Sequence, residues 1–186
     1  KALGVTLKFW LIDDLYTAPY GHGVLNNLTG TPQYLNWLAR IVKPHLGDTV
    51  IELGAGIGNV TGRLMARRLR YVAGEKDPLH LHALQNRFLR TPNVAVRRID
   101  PESAKDFAGL EPFDTALCLN VLEYVREPAE VLHSPAPTLK PGGMLFVLVP
   151  RGPGLYGSVD RAMGHLRRFG RRELEKLLEG EGLRIE

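Results

Sequence analysis

The chain has 186 residues, of which 44% are hydrophobic, and it carries a formal net charge of +4. A chain of this length can bury roughly 70% of its unfolded surface, so its composition predicts one folded domain and excludes general disorder. No apolar run approaches the roughly 18 residues that a membrane span needs, and the small net charge does not favour a nucleic-acid binder. We expect a soluble protein, cytoplasmic by default because its start lacks a signal-peptide layout.

Short apolar segments bounded by Gly, Pro, Asn or Asp predict five buried strands. They span residues 49–53, 70–75, 93–99, 113–119 and 143–149. Helical patterns occur at residues 32–42, 58–69, 78–89, 128–133 and 171–179. This alternation predicts an α/β fold, in which a doubly wound, mostly parallel sheet is covered by helices on both faces.

Three other parts of the sequence modify this predicted fold: the N-terminal segment, a pair of prolines and the C-terminal segment. Residues 1–30 are rich in turn residues toward their end, and we expect them to form an N-terminal extension that acts as a lid on the domain over residues 31–186. Pro135 and Pro137 should end the fourth helix near Ser134, because an interior proline removes a helical hydrogen bond. Residues 182–186 resemble the start of a sixth strand, so we expect that strand to be incomplete and a seventh to be missing.

Polar or flexible residues follow several of the predicted strands. Gly54, Gly56 and Gly58 come after the first strand, Glu75 ends the second, and Asp100 and Asn120 follow the third and fourth. In a doubly wound sheet, ligands bind at the carboxyl ends of the strands, near the point where the strand order reverses. The sequence therefore predicts a binding site at this edge.

The glycine segment, ELGAGIGN at residues 52–59, favours a cationic ligand over a dinucleotide. Dinucleotide-binding loops have the spacing G-x-G-x-x-G, whereas here the spacing is G-x-G-x-G and Asn59 occupies the place of the third glycine. Glu52 adds a carboxylate where a phosphate would be repelled. A sulfonium ligand without phosphate fits this loop better.

This segment resembles motif I of the class I S-adenosylmethionine-dependent methyltransferases, which have a Rossmann-like fold. RRIDPES (97–103), LNVLEYV (119–125) and LKPGGMLFVLVP (139–150) resemble the later motifs of the family. The resemblance is to bacterial small-molecule methyltransferases of type 11/12, and it implies a transferase that uses S-adenosylmethionine and releases S-adenosylhomocysteine. It also implies that Glu75 accepts hydrogen bonds from both ribose hydroxyls, that Asp100 lies beside the adenine amino group, and that Asn120 and Glu123 lie near the methionine portion. The complete set of expected cofactor-binding residues is Glu52, Gly54, Ala55, Gly56, Gly58, Asn59, Glu75, Lys76, Asp100, Asn120 and Glu123.

The acceptor side is less sharply defined by the sequence. An N-P-P-[YF] motif does not follow the fourth strand, which favours a small-molecule acceptor with an O, N or C nucleophile. His22 and His165 are the candidate general bases, because an imidazole can take a proton near neutral pH. Six arginines between positions 151 and 172 suggest an anionic acceptor, although a solvated face, with Arg167 or Arg168 paired to Asp160, explains them equally.

Two other functions remain open at this stage, and both use the same predicted fold. One is an NAD(P)-dependent Rossmann oxidoreductase, and the other is an RNA-directed methyltransferase or RNA-binding domain. The spacing of His and Cys residues does not suggest a metal site. The sequence does not indicate an oligomeric state.

Overall fold

The computed structural model describes residues 31–185, and it contains five strands and six α-helices in that range. The N-terminal extension over residues 1–30, including His22, lies outside the described residues. The strands are β1 Thr49–Leu53, β2 Arg70–Glu75, β3 Val94–Arg98, β4 Phe113–Leu119 and β5 Leu139–Leu148. The helices are α1 Pro32–Val42, α2 Thr61–Leu64, α3 Pro78–Phe88, α4 Pro128–His133, α5 Ser158–Ala162 and α6 Arg171–Gly180.

All four strand pairings are parallel, and the order in the sheet is β3-β2-β1-β4-β5. The chain runs outward from β1 to β3 and then returns to the other side of β1 with β4. The order therefore reverses between β1 and β4, so their carboxyl ends form the switch point where such sheets bind ligands. The predicted doubly wound α/β fold is confirmed.

The sheet is covered on both faces, because β1, β2, β4 and β5 contribute apolar side chains to two separate clusters, while the edge strand β3 contributes to one. Ile51 and Leu53 of β1 join one cluster, which α4 and α6 cover, while Val50 joins the other, which α1 and α3 cover. Alternation of side chains across a strand explains this division. In residues 31–185, no helix is both long enough and apolar enough to cross a membrane.

Local sequence signals explain several element boundaries. The Asp77 side chain accepts hydrogen bonds from the N–H groups of Leu79 and His80, and Pro78 occupies the first helical position, so α3 begins as the residue types dictate. Helix α4 ends at the position that the prolines predict, with Ser134 as its C-cap. These boundaries follow from short-range hydrogen bonding alone.

Three predicted elements differ from the structure by more than one residue. Helix α2 covers only Thr61–Leu64 of the predicted 58–69, because left-handed Gly58 (φ 82°) precedes it and left-handed Arg67 (φ 64°) follows it. Strand β5 begins at Leu139 rather than 143, since Leu139 pairs with Phe113 across an irregularity in the register. Residues 183–185 are not in a strand, so the predicted start of a sixth strand does not form in the described part of the chain.

The amino-terminal edge of the sheet is held by Asp114. Its Oδ2 accepts hydrogen bonds from the N–H and the hydroxyl of Thr49, both at 2.8 Å, and its Oδ1 accepts one from Lys140 Nζ at 2.7 Å. These bonds connect the beginnings of β1, β4 and β5. The Lys140 contact and the two Thr49 bonds lower the pKa of Asp114 to about 2.

We predict that Asp114→Asn destabilises the protein by about 1–2 kcal/mol at pH 7, because bonds to a charged acceptor are lost at a side chain that is 30% exposed. The native pKa of Asp114 lies below the ordinary value, so its stabilisation is present above about pH 4 and is lost as the pH falls toward 2. Chemical denaturation at pH 7 and pH 3 measures both effects. Glu111→Gln, at an 81% exposed carboxylate, is the control and should change little. An equal effect of the two substitutions would contradict the assignment.

Candidate functional site

The loop after β1 requires three left-handed glycines. Gly54, Gly56 and Gly58 have φ values of 65°, 58° and 82°. A β-carbon on Gly54 would lie 2.7 Å from Val121, and one on Gly58 would collide with the ring of Phe88. Left-handed backbone conformation favours glycine at all three positions, and close packing is a second reason for glycine at Gly54 and Gly58.

Glu75 holds this loop to the end of β2. One carboxylate oxygen, Oε2, accepts a hydrogen bond from the Gly56 N–H at 2.7 Å, and the other accepts bonds from the N–H groups of Lys76 and Asp77, both at 2.8 Å. A carboxylate has about four lone-pair sites. Three are used by the backbone, so the carboxylate keeps room for one further donor rather than for the two that the resemblance implies.

Glu52 lies beneath the loop and is 3% exposed. Its Oε2 accepts hydrogen bonds from the hydroxyls of Thr61 at 2.6 Å and Tyr71 at 2.7 Å. Burial raises the pKa of Glu52 to about 7, although these two bonds act in the opposite direction. The carboxyl is thus only partly ionised near neutral pH, and its attraction for a cation depends on pH.

The residues beyond β2 and β3 form a more exposed part of the same edge. Lys76 Nζ lies 3.5 Å from Asp100 Oδ1 and 3.3 Å from Glu102 Oε2. Asp100 also accepts a hydrogen bond from the Glu102 N–H at 3.2 Å. Asn59, by contrast, is 6% exposed, and its side-chain oxygen accepts a hydrogen bond from Arg87, so it supports the base of the loop.

A buried carboxyl lies at the turn after β4. Asn120 adopts the left-handed conformation (φ 56°), and its Nδ2 donates to Glu123 Oε1 at 3.0 Å. Glu123 is 0% exposed, and its Oε2 has no hydrogen-bond partner within the described residues. Burial raises the pKa of Glu123 to about 7. The turn adjoins the glycine loop, since Val121 lies against Gly54.

His165 is part of a buried network that sequence reasoning did not find. Its Nδ1 lies 3.2 Å from Asp160 Oδ1, and its Nε2 lies 3.0 Å from the Tyr124 hydroxyl. Arg168 Nε also donates to Asp160 Oδ1, at 2.7 Å. Tyr124 and His165 are 41 residues apart in the chain, so no local spacing could have revealed their contact. His165 is 7% exposed, and it does not face solvent as a free base would.

Two of the six arginines expected to receive an anionic acceptor, Arg167 and Arg168, make contacts within the fold. Arg168 pairs with Asp160, as the structural alternative predicted. Arg167 Nη2 donates to the backbone carbonyls of Val125 at 3.2 Å and Arg126 at 3.0 Å. These contacts fasten the segment after β5 to the turn after β4, which weakens the case for an anion-binding role.

Comparison with known proteins identifies the family. The family described as "Methyltransferase domain" matches residues 51–145, which is half of the chain. The ubiquinone biosynthesis O-methyltransferase of Erwinia tasmaniensis is 34% identical over 122 residues, which cover 62% of this chain and 47% of that protein. The chain spans about half the length of the curated relatives it matches.

Solved structures agree with this assignment. A methyltransferase structure from Bacillus halodurans matches this chain with a TM-score of 0.66 at 20% identity. The match covers 82% of this chain and 69% of that one, and it shows the shared fold. The trans-methyltransferase CalH, in complex with S-adenosylhomocysteine, matches with a TM-score of 0.53 at 26% identity. That match covers 80% of this chain and 42% of the CalH chain. On the family match, the sheet order and the glycine loop together, the chain belongs to the class I S-adenosylmethionine-dependent methyltransferases.

Proposed function

We propose that this chain binds S-adenosylmethionine at the carboxyl edge of β1, β2 and β4 and transfers its methyl group to a small-molecule acceptor. The observation that carries the proposal is the 2.7 Å bond between the Gly56 N–H and Glu75, which holds the glycine loop beside a carboxylate that keeps one free acceptor position. When bound, S-adenosylmethionine supplies a methyl group on a positively charged sulfur.

The residues at this edge fit such a ligand. Glu75 can accept one ribose hydroxyl without giving up a backbone bond. Glu123 Oε2, which has no hydrogen-bond partner in the part of the chain that the structure describes, is a buried acceptor that suits the ammonium group of the methionine portion. A buried polar atom without a partner is costly, so a donor that arrives with the ligand would be bound strongly. Asp100 remains the candidate partner of the adenine amino group.

The alternatives are less well supported. An NAD(P)-dependent oxidoreductase would bring phosphate charge close to the buried carboxyls of Glu52 and Glu123. For an RNA-directed enzyme we would expect an unoccupied basic face, but Arg167 and Arg168 are used within the fold. The O-methyltransferase relatives favour a hydroxyl acceptor. Loss of the methyl group from S-adenosylmethionine would leave S-adenosylhomocysteine as the released product.

We predict that Gly56→Ala lowers the affinity for S-adenosylhomocysteine by at least about tenfold, because a β-carbon there disturbs the loop that the Gly56 N–H bond holds in place. The matched control is Gly142→Ala. Gly142 is also left-handed (φ 76°), nothing lies within 4 Å of its β-carbon position, and it lies at the opposite edge of the sheet. Both variants should lose about 1–2 kcal/mol of stability from the left-handed conformation. Calorimetry that finds equal affinities for the two variants would contradict the site.

Because three backbone N–H groups already donate to Glu75, we predict that it accepts a hydrogen bond from only one of the two ribose hydroxyls. With one acceptor position left, wild-type protein should bind only one of the 2′-deoxy and 3′-deoxy analogues of S-adenosylhomocysteine more weakly, by about 1.5–3 kcal/mol. Competition binding against the parent compound gives both values. Substitution of Glu75 is avoided, because it would also release the loop. Undiminished affinity for both analogues would remove Glu75 from the ribose site.

The buried carboxyls predict how ligand binding depends on pH. If Glu123 pairs with the ammonium group, the affinity for S-adenosylhomocysteine should rise by up to about tenfold between pH 6 and pH 8, as Glu123 ionises around its pKa of about 7. This rise should disappear in Glu123→Gln. Calorimetry over the pH series measures it. A dependence that persists in the variant would assign the titrating group to Glu52 and contradict the role of Glu123.

A further inference from the structure

The hydrogen bonds around His165 determine which of its two ring nitrogens carries the proton. Asp160 Oδ1 accepts from Arg168 Nε at 2.7 Å, and Asp160 Oδ2 accepts from the Gly157 N–H at 2.9 Å. Burial alone would raise the pKa of Asp160, but these bonds and the contact with His165 outweigh it, so the pKa is lowered and the carboxylate is ionised at neutral pH. An ionised carboxylate can only accept, so the Nδ1 of His165 must carry the proton between them.

That tautomer determines which way the hydrogen bond between Tyr124 and His165 runs. Burial lowers the pKa of His165, so the ring is neutral at pH 7. With Nδ1 protonated, the Nε2 atom is an acceptor, and the Tyr124 hydroxyl donates its hydrogen to it across 3.0 Å. The phenol oxygen therefore directs its lone pairs away from His165. Among residues 31–185, the charged or titratable groups that act on the ring are Asp160 and Arg168 on its own segment and Tyr124 on the turn after β4.

Tyr124 is exposed at the edge where the candidate cofactor site lies. Tyr124 is 40% exposed, whereas His165 and Asp160 behind it are 7% and 2% exposed. The Tyr124 N–H donates to the carbonyl of Val121, the residue that packs against Gly54 of the loop. The Leu166 N–H donates to the Glu123 carbonyl at 2.7 Å, which fastens the His165 segment to this turn.

We infer that Tyr124 takes the proton from a hydroxyl acceptor and passes its own proton to His165 Nε2, with Asp160 as the positioning residue behind His165. This inference rests on the proposed function and names the proton path at the same site. The acceptor O–H bond breaks and leaves its electron pair on the acceptor oxygen, which is the nucleophile. That proton forms a new O–H bond on Tyr124, while the original Tyr124 proton forms an N–H bond on His165 Nε2. The resulting imidazolium lies against the Asp160 carboxylate, which stabilises the positive charge.

The first test uses the ligand-free protein and needs no activity. Nitrogen NMR at pH 7 should show His165 as the neutral Nδ1–H tautomer, assigned by the signals that vanish in His165→Gln. Tyr124→Phe should shift the Nε2 signal, because that atom loses its donor. If Nε2 carries the proton instead, the Tyr124 oxygen would be the acceptor in this bond and could not pass a proton inward, and the proposal would be overturned.

The second test compares two acceptor probes in the methyl-transfer reaction, catechol and 4-nitrocatechol. Catechol is a neutral phenol at pH 7, whereas the nitro group makes its derivative ionise near neutral pH, so the latter needs no base. Tyr124→Phe should lower kcat for catechol by about 10²–10⁴-fold, the usual contribution of general base catalysis. The same variant should lower kcat for 4-nitrocatechol by less than about tenfold, and it should bind S-adenosylhomocysteine as wild type does.

The matched control is Tyr156→Phe, which removes a hydroxyl that donates to the His165 backbone carbonyl at 2.7 Å. It should lower stability without distinguishing the two probes. Equal losses on both probes in Tyr124→Phe would mean that Tyr124 is only structural and would overturn the inference. Turnover of neither probe by protein that binds S-adenosylhomocysteine would overturn the hydroxyl acceptor. Failure to bind S-adenosylhomocysteine at all would instead overturn the proposed function.

Discussion

The contact between the Glu75 carboxylate and the Gly56 N–H is the interaction on which the candidate site depends. It joins the loop after β1 to the turn after β2, across the point where the sheet order reverses. Because Glu75 also accepts two N–H groups of its own turn, the loop is held by a carboxylate that is itself fixed. Left-handed glycines make this close approach possible, since a side chain at Gly54 or Gly58 would collide with the fold.

The buried acidic groups of the molecule differ in their environment and therefore in their ionisation. Glu52 and Glu123 are buried with hydrogen-bond donors but without a cation paired to them among residues 31–185, and burial raises the pKa of each to about 7. Asp160 is equally buried, but Arg168 and the Gly157 N–H donate to it, and its pKa is lowered. Carboxyls near the glycine loop are thus poised to respond to a cationic ligand, whereas Asp160 holds a fixed charge behind His165.

Much of the fold follows from short segments of sequence. Strands β1, β2 and β4 and helices α1 and α4 have the boundaries that their apolar patterns and prolines predict. Those signals are local, because a strand buried on both faces must be largely apolar and because proline is tolerated at the first position of a helix but not in its interior. Helix α2 and strand β5 were predicted less well, since backbone conformation at Gly58 and Arg67 and the pairing of Leu139 with Phe113 depend on neighbouring elements.

For the candidate site, the sequence by itself determined which residue types stand at the ends of the strands, and parallel strands place those ends at one edge. The glycine spacing and the carboxylate of Glu75 could therefore be recognised in the sequence. Only the tertiary structure decided how those groups are used: Glu75 is largely occupied by backbone N–H groups, Arg168 pairs with Asp160, and Tyr124 contacts His165. The physical reason is that hydrogen bonds are directional and short, so partners distant in the chain are selected by packing rather than by spacing.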